Sequence, residues 1–244
     1  MADFERGATG LGVEALVYVE VDVSPAYGLL EAQTVGKDPR LAGIVAWAPL
    51  EDGELARTYL DALVSVGPKI KGVRRLIQSE PDPGFPLRLV EGLRLLPSYG
   101  LTFDICIKHH QLPTTIAMVR ACSETSFVLD HLGKPDIKAG QLDPWRDQIA
   151  ELAALPNVVG CKVSGLVTEA DHQAWTAADL APYVSHALAV FGLDRVLFGG
   201  DWPVVTLAAA YRDWVRTLDA LTADLPSDDR RKLWDENARR IYRL

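Results

Sequence analysis

A chain of 244 residues that is 48% hydrophobic and 24% charged has the makeup of an ordinary globular protein, long enough to bury a sizeable core. Its formal net charge of -8 at pH 7 excludes the broad electropositive surface by which proteins hold nucleic acid or an anionic membrane. The three cysteines, Cys106, Cys122 and Cys161, lack the spacing of a disulfide framework or a zinc knuckle, and no apolar run reaches the ~20 residues that span a bilayer.

In chain order, MADFERGATGLG lacks the basic stretch and apolar core of a signal peptide, so a cytoplasmic protein with reduced, buried thiols is expected. Short apolar runs bounded by Gly, Pro, Asp or Asn then read as buried strands over 14–22, 41–50, 70–78, 101–110, 125–132, 157–166 and 194–202. Between them, apolar residues recur at three and four, which predicts helices over 54–66, 85–96, 114–124, 144–155 and 178–192. A last helix is expected to begin at Ser227, an N-cap followed by Asp228 and Asp229 in the first turn. No linker or low-complexity tract interrupts the pattern, so 1–244 is read as one domain.

Strands that alternate with helices at roughly 25–33 residues per unit imply a parallel sheet covered by helices. A doubly wound sheet would place a glycine-rich phosphate turn after its first strand, and VEVDVSPAYG has none. A β/α barrel needs about 250 residues and keeps its chemistry at the carboxyl ends of the strands. Lys108-His109-His110, Asp130-His131 and Asp201-Trp202 all follow apolar runs in that way. The count is seven strands, where a barrel has eight.

GVRRLIQSEPDP, FDICIKHHQLP, FVLDHLGKPDI, NVVGCKVSGLVTEADHQAW, LFGGDWPV and NARRIYRL together resemble the amidohydrolase superfamily (amidohydrolase-related family 2). Within it, they resemble the sugar-lactonase branch that includes L-fuconolactonase and L-rhamnonolactonase-like enzymes. The resemblance runs from about Gly7 to Leu244. It implies a (β/α)8 TIM-barrel-like fold that opens lactones of sugar acids. Such barrels begin with a strand ending in His-x-His, and this chain has no such motif. EALVYVEVD therefore reads as the family's second strand, and it should either flank a gap with the VLFGG strand or meet it in a contracted barrel.

Asp201 is the first candidate for catalysis: a carboxylate where an apolar run ends, although an Asp before Pro203 also suits a turn. The resemblance makes it the base that takes a proton from attacking water. His131 would polarise the lactone carbonyl, with Asp130 or a backbone group fixing its tautomer; a structural histidine beside a glycine turn is the alternative. His109 and His110 point to opposite faces if their strand continues, and His109 is preferred for the site, with His110 as its loop partner. Arg74 and Gln78 share parity and face the substrate or a developing oxyanion, while Arg75 faces the helices; interlayer salt bridges are the alternative. Lys162 and Ser164 share parity too: Ser164 would donate a hydrogen bond to substrate, and a mid-strand Lys requires a carboxylate or substrate partner.

Glu20, Trp47 and Trp202 are weaker candidates for the substrate side, and His172 and His186 read as structural or exposed. No GxSxG elbow is present, which disfavours serine-hydrolase chemistry. His109, His131 and Asp201 are the three residues able to ligate zinc. Without His-x-His, no required metal is the expectation. Two rivals remain: a related decarboxylase or other cyclic-ester hydrolase, and a truncated, non-catalytic binding module, with a homo-oligomer as a way to cover open sheet edges. No nucleic-acid or membrane partner is expected.

Overall fold

The structure is a computed structural model and describes residues 2–244. Seven parallel strands form one sheet in chain order: β1 (Leu16–Val19), β2 (Leu41–Trp47), β3 (Ile70–Arg74), β4 (Thr102–Ile105), β5 (Phe127–Leu129), β6 (Val158–Val163) and β7 (Val196–Phe198). Parallel neighbours need a long crossover. Helices Gly28–Val35, Ala56–Val64, Leu112–Arg120, Trp145–Ala153 and Ala177–Phe191 supply crossovers. β1 and β7 are the two edges of the sheet, and they do not pair with each other among the described residues.

The sheet is curled, because side chains of non-adjacent strands meet across one face. Arg74 of β3 reaches both Glu20, just past β1, and Asp130, just past β5. Side chains on the other face, among them Ile44, Val73, Phe103, Ile105, Phe127, Leu129, Cys161 and Val163, pack with Leu60, Ile116, Ile149 and Leu180 of the helices. Residues buried on both faces explain why these strands read as near-continuous apolar runs.

The concave face has a smaller apolar cluster, and part of it comes from the C-terminal helix Asn237–Tyr242. Ile241 and Tyr242 pack against Val45, Val128 and Leu197. Asn237 anchors this helix by donating Nδ2 to the carbonyls of Leu193 and Val196, at 2.8 and 2.7 Å. Two glycines make room for the segment. A Cβ at Gly43 would lie 2.8 Å from Leu244 Cδ2, and one at Gly160 would lie 2.8 Å from Ile241 Cδ1. Gly160→Val is therefore expected to cost about 1–3 kcal/mol by overpacking. A thermal midpoint equal to that of the parent would show that the helix does not seat there.

Several sequence expectations are corrected. The strands are shorter than the apolar runs, because polar ends leave the ladder early: β4 stops at Ile105, and His109–Gln111 form a 3-10 turn. The parity argument for His109 and His110 therefore does not apply, and Gln78 likewise lies beyond β3. The helix expected over 85–96 is three single turns, Phe85–Arg88, Val90–Leu93 and Leu96–Tyr99. Pro97 explains the second break, since its ring would clash with the carbonyl four residues back. Ser227 is the first helical residue and not the cap: Pro226 holds the cap position, with no side-chain cap bond. Helices Ala2–Ala8, Gly28–Val35 and Tyr211–Leu221 were not anticipated. Phe4 of the first of these packs edge-on to Trp202 and Tyr211. Among the described residues, no helix is long and apolar enough to cross a membrane.

Candidate functional site

Five charged side chains converge on the concave face, from β1, β3, β4, β5 and β6. Arg74 donates Nε to Glu20 Oε1 at 2.6 Å and Nη1 to Asp130 Oδ2 at 3.0 Å, and its Nη2 reaches the Glu20 carbonyl. Lys162 donates Nζ to Asp104 Oδ2 at 2.6 Å and lies 2.7 Å from Asp130 Oδ1, an ion-pair contact rather than a well-angled hydrogen bond. Tyr242 donates its hydroxyl to the same Asp104 oxygen at 2.7 Å. Glu20, Asp104 and Asp130 are wholly buried, and buried charges persist only when paired and hydrogen-bonded.

The environment splits the two central carboxyls. Burial pushes Asp130 up, but Lys162, Arg74 and His131 outweigh it and hold the group well below the usual range. Burial also pushes Asp104 up, and there it prevails over Lys162. Lys162 is held well above its ordinary value, since Asp104 and Asp130 outweigh the burial that would lower it.

Above this cluster lies the turn His131–Gly133. Residues 131 to 134 all have positive φ: 54° at His131, 53° at Leu132, 70° at Gly133 and 51° at Lys134. Three of the four carry side chains, and such backbone costs about 1–3 kcal/mol per residue and persists only where surroundings over-determine it. Here Trp145 Nε1 donates to the Leu132 carbonyl at 2.7 Å, and the amides of Gly133 and Lys134 bond back to Asp130 and His131. Gly165 (φ 67°) passes so close that a Cβ would lie 2.8 Å from the His131 ring.

The strained turn aims His131 at Asp201. His131 Nε2 lies 3.7 Å from Asp201 Oδ1, and its Nδ1 lies 2.8 Å from Ser164 Oγ. Asp201 is itself at φ 49°, three residues past β7. Ser164, not Asp130 or a backbone group, contacts Nδ1, so the expected tautomer partner is corrected: Asp130 is engaged by Arg74 and Lys162. Burial lowers the pKa of His131 below 6.5 against the pull of Asp201 and Asp130, which keeps it neutral at pH 7. Because a serine hydroxyl both donates and accepts, either tautomer is satisfied.

No hydrogen bond or ion pair among the described residues joins the remaining expected residues to this pair. His109 is half-buried and lies 3.1 Å from the Lys134 carbonyl through Nδ1, which leaves Nε2 free. His110 is exposed and only packs edge-on against His109. Gln78 accepts from the Cys106 thiol at 3.5 Å. Trp202 is partly buried against Phe4, and Trp47 is buried edge-on to Tyr59. Arg75 pairs with Glu51 and Glu80. His172 and His186 bond to the carbonyls of Thr168 and Arg146.

Asp104, Lys134, Glu169 and Tyr242 are not singled out by the sequence, and Lys108 is marked there only as part of a polar strand end. Lys108 and Lys134 share one carboxylate, Glu169, at 3.4 and 3.8 Å. Glu169 also lines a polar cleft of about 530 Å³ with Asp136, Lys138, Thr168 and Asp171. Lys108 and Lys134 stand in the quoted KHH and HLGKP runs, where their charge was the available signal. Tyr242 reads as an ordinary core aromatic on a helix, and nothing local marks its hydroxyl.

Two donor groups bear on a metal. Cys106, Asp130 and His131 place ligand atoms within 4.8 Å of one another. They do not fit a divalent ion, because both Asp130 oxygens face cations and burial pushes the Cys106 thiol up to about 11. His131 Nε2 and Asp201 Oδ1 fit better, since 3.7 Å is near the about 3.3 Å span of two ligands on tetrahedral zinc. His109, expected as the third ligand, is not brought into such a group: its ring nitrogens do not lie within 4.8 Å of the ligand atoms of both His131 and Asp201, and its Nδ1 sits on the Lys134 carbonyl.

A family model described as Amidohydrolase matches residues 2–244. The chain is 33% identical over 279 residues to an L-fucono-1,5-lactonase of Burkholderia multivorans, covering 100% of this chain and 92% of that protein. It is 23% identical to an L-rhamnono-gamma-lactonase of Scheffersomyces stipitis, covering 99% and 82%. A solved Burkholderia multivorans amidohydrolase with bound zinc superposes with a TM-score of 0.90 at 29% identity, covering 100% of this chain and 88% of that one.

Proposed function

We propose, from the premise that the chain belongs to the amidohydrolase family, that it hydrolyses the ring ester of a sugar-acid lactone. The observation that carries this reading is the His131–Asp201 pair, held by strained backbone at the carboxyl ends of the strands. The lactonases among its relatives support the substrate class. In this reading β1 is the family's second strand, and β1 and β7 bound the place of the first.

Asp201 accepts the proton of the attacking water and returns it to the departing ring oxygen. His131 polarises the carbonyl, with Ser164 holding its ring. Arg74 has three of its donor contacts on Glu20 and Asp130 and is about 12% exposed, so it acts chiefly as a fixed positive charge beneath the mouth. His131 and Asp201 are the residues that would hold a divalent metal. When bound, such an ion would polarise the carbonyl and acidify the attacking water.

A pH-indicator assay on a panel of aldonolactones, with and without a chelator, tests the reading. Acid release is expected with at least one lactone. Loss of turnover with chelator and its return with zinc would assign His131 and Asp201 to a metal, and insensitivity would leave Asp201 as the base and His131 as the group that polarises the carbonyl. A folded chain that turns over none of the panel would remove the lactonase reading in favour of a non-catalytic module. Release of carbon dioxide from an aromatic acid would move it to decarboxylation.

A further inference from the structure

The concave face holds three carboxylates, Glu20, Asp104 and Asp130, against two cations, Arg74 and Lys162. Asp104, like Asp130, has one oxygen without a hydrogen bond among the described residues. It is wholly buried, Lys162 and Tyr242 share its Oδ2, and its Oδ1 meets no donor among the described residues. Its hold on Lys162 therefore depends on a hydroxyl from the far end of the chain.

The Tyr242 ring is 1% exposed, and Lys162 Nζ lies 5.7 Å from its centroid. Burial and the neighbouring Asp104 keep this phenol protonated well above its ordinary range, so it donates throughout the working pH range. The contacts run without a break. Tyr242 donates to Asp104, Lys162 bridges Asp104 and Asp130, and Asp130 accepts from Arg74. Asp130 is the residue immediately before the strained His131 turn. Linked groups in a dry interior polarise one another, and their effects do not add.

We propose that Tyr242 is a positioning residue for the site: its hydroxyl holds Asp104 as the second anchor of Lys162, and so sets how firmly Asp130 grips Arg74 beneath the His131 turn. The kinetic readout of this proposal rests on the lactonase reading; its structural readout does not. With the hydroxyl removed, Asp104 has lost one of two donors and its ionised form is no longer supported. Lys162 then passes to Asp130 alone, and Asp130 relaxes its hold on Arg74.

The test is Tyr242→Phe, Asp104→Asn and the double variant, each compared with the parent chain. Crystal structures of parent and Tyr242→Phe are expected to show Lys162 Nζ leaving Asp104 while staying on Asp130. If Lys162 keeps both contacts in Tyr242→Phe, the proposal is overturned whatever the substrate proves to be. On a lactone that the parent turns over, Tyr242→Phe is expected to lower kcat about tenfold with KM within about twofold, a size that coupled network members reach. In the Asp104→Asn background the same change is expected to have less than about twofold effect. A loss of thermal midpoint with kcat unchanged, or equal losses in the two backgrounds, would reduce Tyr242 to a core aromatic. A parent inactive on every lactone would defeat the lactonase reading alone, and the Lys162 position would still decide this one. Should Tyr242→Phe fold poorly, Asp104→Asn alone decides it: Lys162 staying on Asp130 with Arg74 drawn off Asp130 supports the proposal, and an Arg74–Asp130 contact unchanged from the parent overturns it.

Discussion

Asp201→Asn is expected to lower kcat by roughly 10²–10⁴-fold, the usual worth of a positioned general base. Asparagine preserves the shape of the side chain and cannot take the water's proton. It also tolerates the left-handed region better than most residues, so φ 49° at this position should survive the change. The thermal midpoint is therefore expected to move little, while KM stays near that of the parent. Alanine would be a poorer control, because it changes the backbone preference and the chemistry together. Acid release by the asparagine variant above a tenth of the parent rate would show that another group accepts the proton.

The second large effect concerns stability. Arg74→Met is expected to cost about 3–5 kcal/mol at pH 7, because it leaves Glu20 and Asp130 buried without their shared cation. For a chain of this size that is a fall of about 6–20 °C in the thermal midpoint. The pH dependence follows from Asp130, whose folded-state pKa lies below its ordinary 3.8 despite burial, through Lys162 and Arg74. A depressed carboxyl contributes stability above 3.8 and loses it as pH falls towards the folded value. In the methionine variant Asp130 protonates more readily, so the deficit relative to the parent should narrow as pH falls through about 4. Thermal melts of both proteins at pH 7 and pH 4 check this. A deficit that widens in acid would mean that Asp130 is not held by Arg74.

The alternation of apolar runs with helical spacing was enough to find all seven strands, because parallel strands buried on both faces leave an unmixed signal. Their carboxyl ends were harder. The run before His109 stays apolar two residues beyond Ile105, but the ladder does not follow it, and parity beyond a ladder says nothing about direction. Lys162 is expected to need a carboxylate or the substrate as partner, and it has two carboxylates, since a buried ammonium persists only when paired. Which carboxylates was not legible, since Asp104 and Asp130 come from other strands. The helix Tyr211–Leu221, which buries Tyr211, Trp214 and Leu218, follows a stretch of turns and was passed over although its apolar spacing is regular. Positive φ at His131 and Leu132 had no local sign, because no glycine stands at either position.

The charged cluster on the concave face also bears on how the chain reaches its fold. Taken in order along the sequence, its members are Glu20, Arg74, Asp104, Asp130, Lys162 and Tyr242, so a piece of the sheet that runs through β5 and Asp130 but stops before β6 would enclose three carboxylates with a single cation. Such a piece could not close its inner face without protonating or exposing an acid. Asp104 waits longest, since its phenol partner lies 138 residues away. Contacts this distant slow folding, because loop closure must come before the contacts that reward it. The half-built sheet is thereby kept from becoming a stable resting place, and assembly should be a late, concerted event in which β6, β7 and the C-terminal helix arrive together.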